Sequence, residues 1–330
     1  MAQPALTGRG ARITKVALVN FFLTTAQRTR SLAANRARIL SRINSEVLRM
    51  RTTNLAAVPA DPRDSALQAE IDFLVPSAER LFAYGRDAPR GGEAETARFA
   101  SHAVRVEDVR DGELPALDEH GAMLGRWPTR VRRFYDDSHV QNRYYPESAD
   151  IIRAALGADR VIVFDHNVRR GAALQPAGQP YTIGRPVHHA HTDYTPRSAL
   201  RRLRQEFGPH AEEGLSRYLQ VNLWRPIRGP LRDAPLAMCD GATVAAHSLR
   251  SVELRYAART GEIYYLLHDP GQRWFFASDM TVDEAWLFKN FDSASPGPGR
   301  VAPHSAFTDT RYPQVAPRES IEVRALAVFH

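Results

Sequence analysis

Short apolar runs that alternate with polar residues dominate the second half of the chain. They recur at 219–224, 252–257, 263–268, 274–278 and 321–329. A two-residue period of this kind indicates half-buried strands. Thr260 and Gly261 separate two of these runs and predict a hairpin. We therefore expect a mainly β fold with flanking helices, built around a double-stranded β-helix, or jelly-roll, core.

The first half mixes strands with helices. Apolar runs predict strands at 71–76, 103–109 and 160–166, and a mostly polar helical region is expected to begin near 127–135. A helical period predicts a short helix over 148–156, which Gly157 would end. The same period predicts a longer helix over 198–219.

Residues 1–55 differ in composition from the rest of the chain. They hold ten Lys or Arg residues and one acid, Glu46, so they account for the net charge of +7. Transit peptides, nucleic-acid or membrane-surface tails and over-long start sites share this composition. We expect a basic N-terminal extension over 1–55, helical or disordered, and a single domain over 56–330. Because that domain is close to neutral, no nucleic-acid partner is expected.

Several protein classes are disfavoured by what the sequence lacks. Cys239 is the single cysteine, which excludes an intrachain disulfide or a multi-cysteine zinc site and fits a reducing compartment. The longest apolar run, 16–23, is shorter than the roughly 18 residues that span a bilayer. No P-loop, Rossmann fingerprint or nucleophile elbow occurs. We expect a cytoplasmic protein, with an organellar transit peptide left open by the Arg-rich N-terminus.

Candidate chemistry centres on His191 and Asp193, which are separated by one residue. In an extended strand such residues face the same side. His304 would then complete the two-His-one-carboxylate triad that binds Fe(II) and leaves coordination positions open. For the pair alone, a buried histidine hydrogen-bonded to an aspartate is the simpler explanation. A cupin-type set of His189 and His191 lacks its glutamate, because 194–197 contain none.

Arg318 and Ser320 follow His304 and lead into the last predicted strand. Two residues apart on a strand, they share a face, and a guanidinium forms bidentate ion pairs with carboxylates. This pair therefore suits the distal carboxylate of 2-oxoglutarate.

Other marked residues have structural alternatives. Asn222 and Trp224 share a face of a predicted strand and either contact 2-oxoglutarate or substrate, or form part of the core. Arg225 and Tyr194 are candidates for substrate contact, although an ion-pair or surface role is the default for Arg225. Asp165 and His166 are adjacent and so face opposite sides of a strand, which favours structural hydrogen bonds over a second metal site.

Many segments, in the same order, resemble one oxygenase family. It comprises fungal and bacterial Fe(II)/2-oxoglutarate-type enzymes and includes the CmcJ-type cephamycin hydroxylation protein, AsaB-type hydroxylase/desaturases and gibberellin-desaturase-like proteins. The resemblance extends from about residue 67 to the C-terminus and does not include residues 1–55. The segments that carry it are 135–137, 144–147, 163–166 with 169–170, 191–195, 222–227, 235–240, 289–293, 303–307 and 317–324.

The resemblance implies a role for each matching residue. His191, Asp193 and His304 would be the iron ligands, and Arg318, assisted by Ser320, would anchor 2-oxoglutarate. Oxidative decarboxylation of 2-oxoglutarate with O₂ would yield an Fe(IV)-oxo species that hydroxylates, desaturates or cyclises a small metabolite. The alternatives are a jelly-roll metalloenzyme that uses oxygen without 2-oxoglutarate, and an accessory or binding protein of a biosynthetic pathway. The sequence does not specify the substrate or the oligomeric state.

Overall fold

The computed structural model describes residues 66–85, 93–171, 184–294 and 300–330. The predicted extension over 1–55 and most of the loop between 171 and 184 lie outside these ranges. No helix in the described ranges is long and apolar enough to cross a membrane.

Most of the described chain forms β-strands. The strands are β1 (Ala66–Leu74), β2 (Phe82–Tyr84), β3 (Phe99–Asp108), β4 (Ala122–Arg126), β5 (Arg160–Arg170), β6 (His191–Thr192), β7 (Arg217–Pro226), β8 (Leu236–Cys239), β9 (Leu249–Arg255), β10 (Thr260–Leu266), β11 (Trp274–Phe276), β12 (Glu284–Asp292), β13 (His304–Ala306) and β14 (Glu319–Phe329). The α-helices are α1 (Leu117–His120), α2 (Asp137–His139), α3 (Tyr145–Leu156) and α4 (Pro196–Phe207). A π-helical turn, Val140–Tyr144, joins α2 to α3.

Two sheets form the jelly-roll core that the sequence predicts. One sheet has nine strands in the order β1-β3-β11-β8-β13-β6-β10-β9-β2, and the other has five in the order β4-β12-β7-β14-β5. Trp224 and Trp286 of the smaller sheet pack with Met238 and Phe275 of the larger one. Burial of these large apolar side chains joins the two inner faces.

The outer face of the five-stranded sheet is covered by the helical segment before β5. Tyr144 and Ile152 pack against Val221, Leu223 and Val323, which alternate with the inward-facing residues of β7 and β14. The smaller sheet is therefore buried on both faces, with its polar inward residues directed at the space between the sheets.

Most predicted elements are confirmed, and their boundaries were the main source of error. The helix predicted over 198–219 ends at Phe207, because Gly208 has a positive φ of 106° and Pro209 follows it. The chain then enters β7 at Arg217. The helical region expected near 127–135 begins slightly later, at Asp137, because the backbone N–H of Trp127 donates to the Asp283 carbonyl and extends the sheet edge. The extended segment around 187–195 forms a strand only at β6.

Helix α4 begins immediately after the His191-Thr192-Asp193 segment. Thr195 is its N-cap, and the Thr195 and Ser198 side chains each accept a hydrogen bond from the other's backbone N–H. Pro196 occupies the first helical turn, where its missing N–H has no cost. This cap fixes the direction in which the chain leaves Asp193.

Gly121 and Gly157 allow a matched test of how tightly the chain packs around Val301, three residues before His304. Both adopt a left-handed backbone, with φ of 80° and 65°. A Cβ at Gly121 would lie 2.8 Å from the Val301 carbonyl oxygen, whereas nothing lies within 4 Å of one at Gly157. We expect Gly157→Ala to lower the free energy of unfolding by about 1 kcal/mol and Gly121→Ala to lower it by roughly 1–3 kcal/mol more.

Urea denaturation of the two variants measures this difference. If both variants lose the same free energy of unfolding, the segment at Val301, three residues before His304, moves away from the added Cβ without destabilising the fold.

Candidate metal centre

His191, Asp193 and His304 meet at one point between the sheets. Their ligand atoms all lie within 4.8 Å of one another. β6 and β13 are neighbours in the nine-stranded sheet, and His191 lies directly opposite His304, with ring centroids 4.4 Å apart. Asp193 follows β6, and its Oδ1 is 3.7 Å from His191 Nε2. The backbone thus gathers two imidazoles and one carboxylate into a facial set of donors.

Both histidines present the same ring nitrogen to this point. His191 Nδ1 lies 2.7 Å from the His189 carbonyl and His304 Nδ1 lies 3.2 Å from the Ala302 carbonyl. Since a carbonyl only accepts, each Nδ1 carries the proton and each Nε2 keeps its lone pair. Burial, and then the neighbouring His304, lower the pKa of His191 to about 4, and burial also lowers the pKa of His304. Both rings are neutral at pH 7 and able to bind a metal.

Asp193 is held by the five-stranded sheet. Its Oδ2 accepts from Asn222 Nδ2 at 2.8 Å and from Arg324 Nε at 2.9 Å, while its backbone N–H donates to Asn290 Oδ1 at 2.8 Å. Burial would raise the pKa of Asp193, but Arg324 and then His191 outweigh it and hold the pKa below its usual range. The carboxylate is therefore charged and oriented.

Sequence reasoning missed Arg169, Glu322 and Arg324 as members of this site. In β14, Ser320, Glu322 and Arg324 alternate with Ile321 and Val323. Glu322 and Arg324 lie opposite Trp224 and Asn222 of β7, and Ser320 lies opposite Arg169 of β5. Polar residues at every second position of an otherwise apolar strand were the signal that could have identified them.

Arg318 and Ser320 form a second buried cluster. Arg318 Nε donates to Ser320 Oγ at 2.9 Å and Nη1 donates to the Ala234 carbonyl at 2.7 Å, and its guanidinium lies 4.9 Å from the centre of the Trp224 ring. Burial, and then the charge of Arg169, lower the pKa of Arg318 to about 9. Among the described residues no carboxylate lies in direct contact with the Arg318 guanidinium, and the charges of Glu322 and Asp233 act on it from farther away. A buried guanidinium with no carboxylate in contact favours a bound anion.

β7 connects the two clusters. Asn222 contacts Asp193, and Trp224, two residues on and on the same face, lies beneath Arg318. Two residues of a strand span about 7 Å. The carboxylate at the metal end and the guanidinium at the other end are thus linked by one rigid strand.

A cavity of about 330 Å³ opens beside the triad. His191, Asp193, Arg169, Tyr194 and Arg324 contribute to its wall, together with residues of α4 and of the β9–β10 hairpin. Tyr194 also makes an edge contact with the Phe164 ring. The predicted substrate residue Tyr194 therefore lies where a molecule in the cavity would touch it.

The other candidates lie away from the triad. Arg225 is fully buried on the opposite face of β7, donates to the Trp127 and Val282 carbonyls and lies over Tyr144, so its geometry does not support a substrate role. His189 stacks on Phe99 rather than joining the donors.

Asp165 and His166 have separate partners. Asp165 pairs with Arg324, and His166 Nδ1 contacts Tyr145 Oη at 2.9 Å, as expected for structural hydrogen bonds rather than for a second metal site.

Comparison with known proteins agrees with this site. Residues 71–329 match the family model described as an oxidoreductase/YMDC permease-like domain. The chain is 31% identical over 286 residues to hydroxylase/desaturase efuI of Hormonema carpetanum, covering 77% of this chain and 96% of that protein. It is also 31% identical over 274 residues to Fe(II)/2-oxoglutarate-dependent dioxygenase nvfI of Aspergillus novofumigatus, covering 78% and 95%.

A solved structure gives the same result for the fold. The iron and alpha-ketoglutarate-dependent endoperoxidase NvfI superposes with a TM-score of 0.72 at 26% identity, covering 80% of this chain and 98% of that one. The family predicted from the sequence is confirmed. The chain belongs to the oxidoreductase family that includes these hydroxylase/desaturases and Fe(II)/2-oxoglutarate-dependent dioxygenases.

Proposed function

We propose that the protein binds Fe(II) through His191, Asp193 and His304 and uses 2-oxoglutarate and O₂ to hydroxylate, desaturate or cyclise a small metabolite. The observation that carries this proposal is the convergence of three donor atoms within 4.8 Å, with both imidazoles in the metal-binding tautomer. The proposal places the active centre in one jelly-roll oxygenase domain over 56–330.

The donor set fits ferrous iron. Two neutral imidazoles and one carboxylate on one side of an ion leave the opposite positions open, as non-haem iron oxygenases require. Asn222, Asn290 and Arg324 supply the outer hydrogen bonds that hold such a ligand in place.

The proposed 2-oxoglutarate site extends from the metal toward Arg318. The buried guanidinium of Arg318, with Ser320 beside it, would bind the distal carboxylate as a charge-assisted pair. Trp224 and Asn222 line the strand between this cation and the donors, a path whose length suits a five-carbon dicarboxylate. Binding would place a carboxylate in direct contact with the Arg318 guanidinium, which no carboxylate of the described residues does.

Iron with 2-oxoglutarate and O₂ supplies an oxidant able to cleave an unactivated C–H bond. This chain contributes orientation and shielding. The inner faces of the two sheets bury His304 and most of His191 and Asp193, and the cavity of about 330 Å³ would hold the substrate beside His191 and Asp193. Tyr194, in the cavity wall, would orient it.

The reaction outcome and the compartment complete the proposal. The relatives are named hydroxylase/desaturase, dioxygenase and endoperoxidase, so one centre supports several outcomes, and cavity-lining residues would select among them. A small metabolite fits the size of the cavity. We further propose a reducing, cytoplasmic setting, which the buried free thiol of Cys239 supports.

The first test is an anaerobic titration with Fe(II) and 2-oxoglutarate. The unmodified protein is expected to develop a metal-to-ligand charge-transfer band. His304→Ala is expected to lose the band, because it removes one of three donors. Circular dichroism checks that the variant folds. A folded unmodified protein that gives no band would contradict chelation of 2-oxoglutarate at this centre, and succinate release from a metabolite library would then search for the substrate.

The second test separates the anchor from the metal. Arg318→Lys keeps the charge but loses the planar fork, so we expect the Kd for 2-oxoglutarate to rise about 10–100-fold, as for a lost charge-assisted hydrogen bond, with Fe(II) affinity unchanged. Arg225→Lys is the matched control, since Arg225 is equally buried but lies on the other face of β7. An unchanged Kd in Arg318→Lys, or an equal rise in Arg225→Lys, would rule out Arg318 as the anchor.

A further inference from the structure

We infer that Arg324 is a positioning residue that restricts Asp193 to one metal-binding oxygen and thereby keeps a coordination position open for oxygen. The inference rests on the proposed function, because it concerns the ligand Asp193. Neither the resemblance nor the motif reasoning assigns Arg324 a role.

The contacts of Arg324 are specific. Its Nε donates to Asp193 Oδ2 at 2.9 Å, Nη1 donates to Asp165 Oδ2 at 3.0 Å, and Nη2 lies 3.1 Å from Glu322 Oε1. With the Asn167 amide turned so that its oxygen faces the guanidinium, that oxygen also accepts from Nη1 and Nη2 at 3.0 and 3.1 Å. A guanidinium held by partners on all sides cannot rotate, so its Nε keeps one fixed direction toward Asp193.

The two oxygens of Asp193 therefore differ. Oδ2 accepts from both Arg324 Nε and Asn222 Nδ2, whereas Oδ1 is the oxygen near His191 Nε2. Two donors saturate Oδ2 on the side of the five-stranded sheet. Only Oδ1 is left for a metal at the triad, so the carboxylate binds through one atom.

This restriction matters for the chemistry. An octahedral ion held by one atom from each of three side chains has three positions open. A chelating 2-oxoglutarate would fill two of them and would leave one for oxygen. If Asp193 bound through both oxygens, the chelate would fill the remaining positions and oxygen would be excluded.

Arg324 also links the centre to the substrate cavity. Arg324 and its partner Asp165 both contribute to the cavity wall, and Asp165 belongs to β5 whereas Asp193 follows β6 of the other sheet. The guanidinium thus bridges a residue that a substrate would touch and a residue that would bind the metal.

The experiment compares Arg324→Gln and Arg324→Lys with the unmodified protein. Arg217→Gln is the matched control, because Arg217 also bridges two carboxylates, Asp118 and Asp292, and neither is a proposed ligand. Anaerobic Fe(II) affinity is measured by chelator competition. Nitric oxide, as an oxygen surrogate, is then added to the Fe(II) and 2-oxoglutarate complex, and the iron-nitrosyl paramagnetic resonance signal is recorded.

We expect Arg324→Gln to weaken Fe(II) binding about 10–100-fold, as for other residues that orient a ligand. At saturating Fe(II) and 2-oxoglutarate it is expected to keep the charge-transfer band and lose most of the nitrosyl signal. Arg324→Lys should lose part of the Fe(II) affinity and part of the nitrosyl signal, because an ammonium cannot reproduce the fork of a guanidinium. Arg217→Gln should keep both the Fe(II) affinity and the nitrosyl signal.

A folded Arg324→Gln with unchanged Fe(II) affinity and a full nitrosyl signal would overturn the inference. If that variant does not fold, the same result in Arg324→Lys would overturn it. Failure of the proposed function is distinct, since the unmodified protein would then give no charge-transfer band.

Discussion

The attachment of Asp193 to the five-stranded sheet is the interaction on which the centre depends. Both imidazoles belong to the nine-stranded sheet, where β6 and β13 are paired, but the carboxylate is held by Asn222 and Arg324 from the opposite sheet. The three donors converge only while the sheets remain packed through Trp224, Trp286 and Met238. The packing of the core therefore also sets the arrangement of the three donors.

Charged side chains are concentrated on the inward face of the five-stranded sheet, with Arg318 just before β14 and Glu322 and Arg324 within it. Burial, and then the charge of Asp193, raise the pKa of Glu322. Burial, and then the charge of Arg169, lower the pKa of Arg318. Such groups oppose folding unless partners compensate them. Their concentration on one inward face fits the anion and the metal cation that the proposed function would bind there. The apolar residues on the other face stabilise the fold.

Sequence reasoning found the donors and most of the strands, because a two-residue period and the H-x-D spacing are local signals. It failed where tertiary contacts decide. The helix over 198–219 was extended too far, since Leu215 and Tyr218 continue a helical period that Gly208 and Pro209 have already ended. Arg225 is a substrate candidate by sequence, with a structural role as its default, and alternation along β7 places it on the outer face over Tyr144. Only the pairing of β14 with β7, which sets Arg324 opposite Asn222, brings Arg324 to Asp193.

The direct opposition of His304 and His191 on neighbouring strands has an evolutionary consequence. Their separation is set by backbone hydrogen bonding within a sheet, whereas α4 and the β9–β10 hairpin, which wall the cavity, contribute neither imidazole. Insertions or exchanges in those walls can remodel the chamber without disturbing the spacing of the two rings. Relatives built on such a scaffold are expected to differ in the walls of the cavity while keeping the two imidazoles at the same separation.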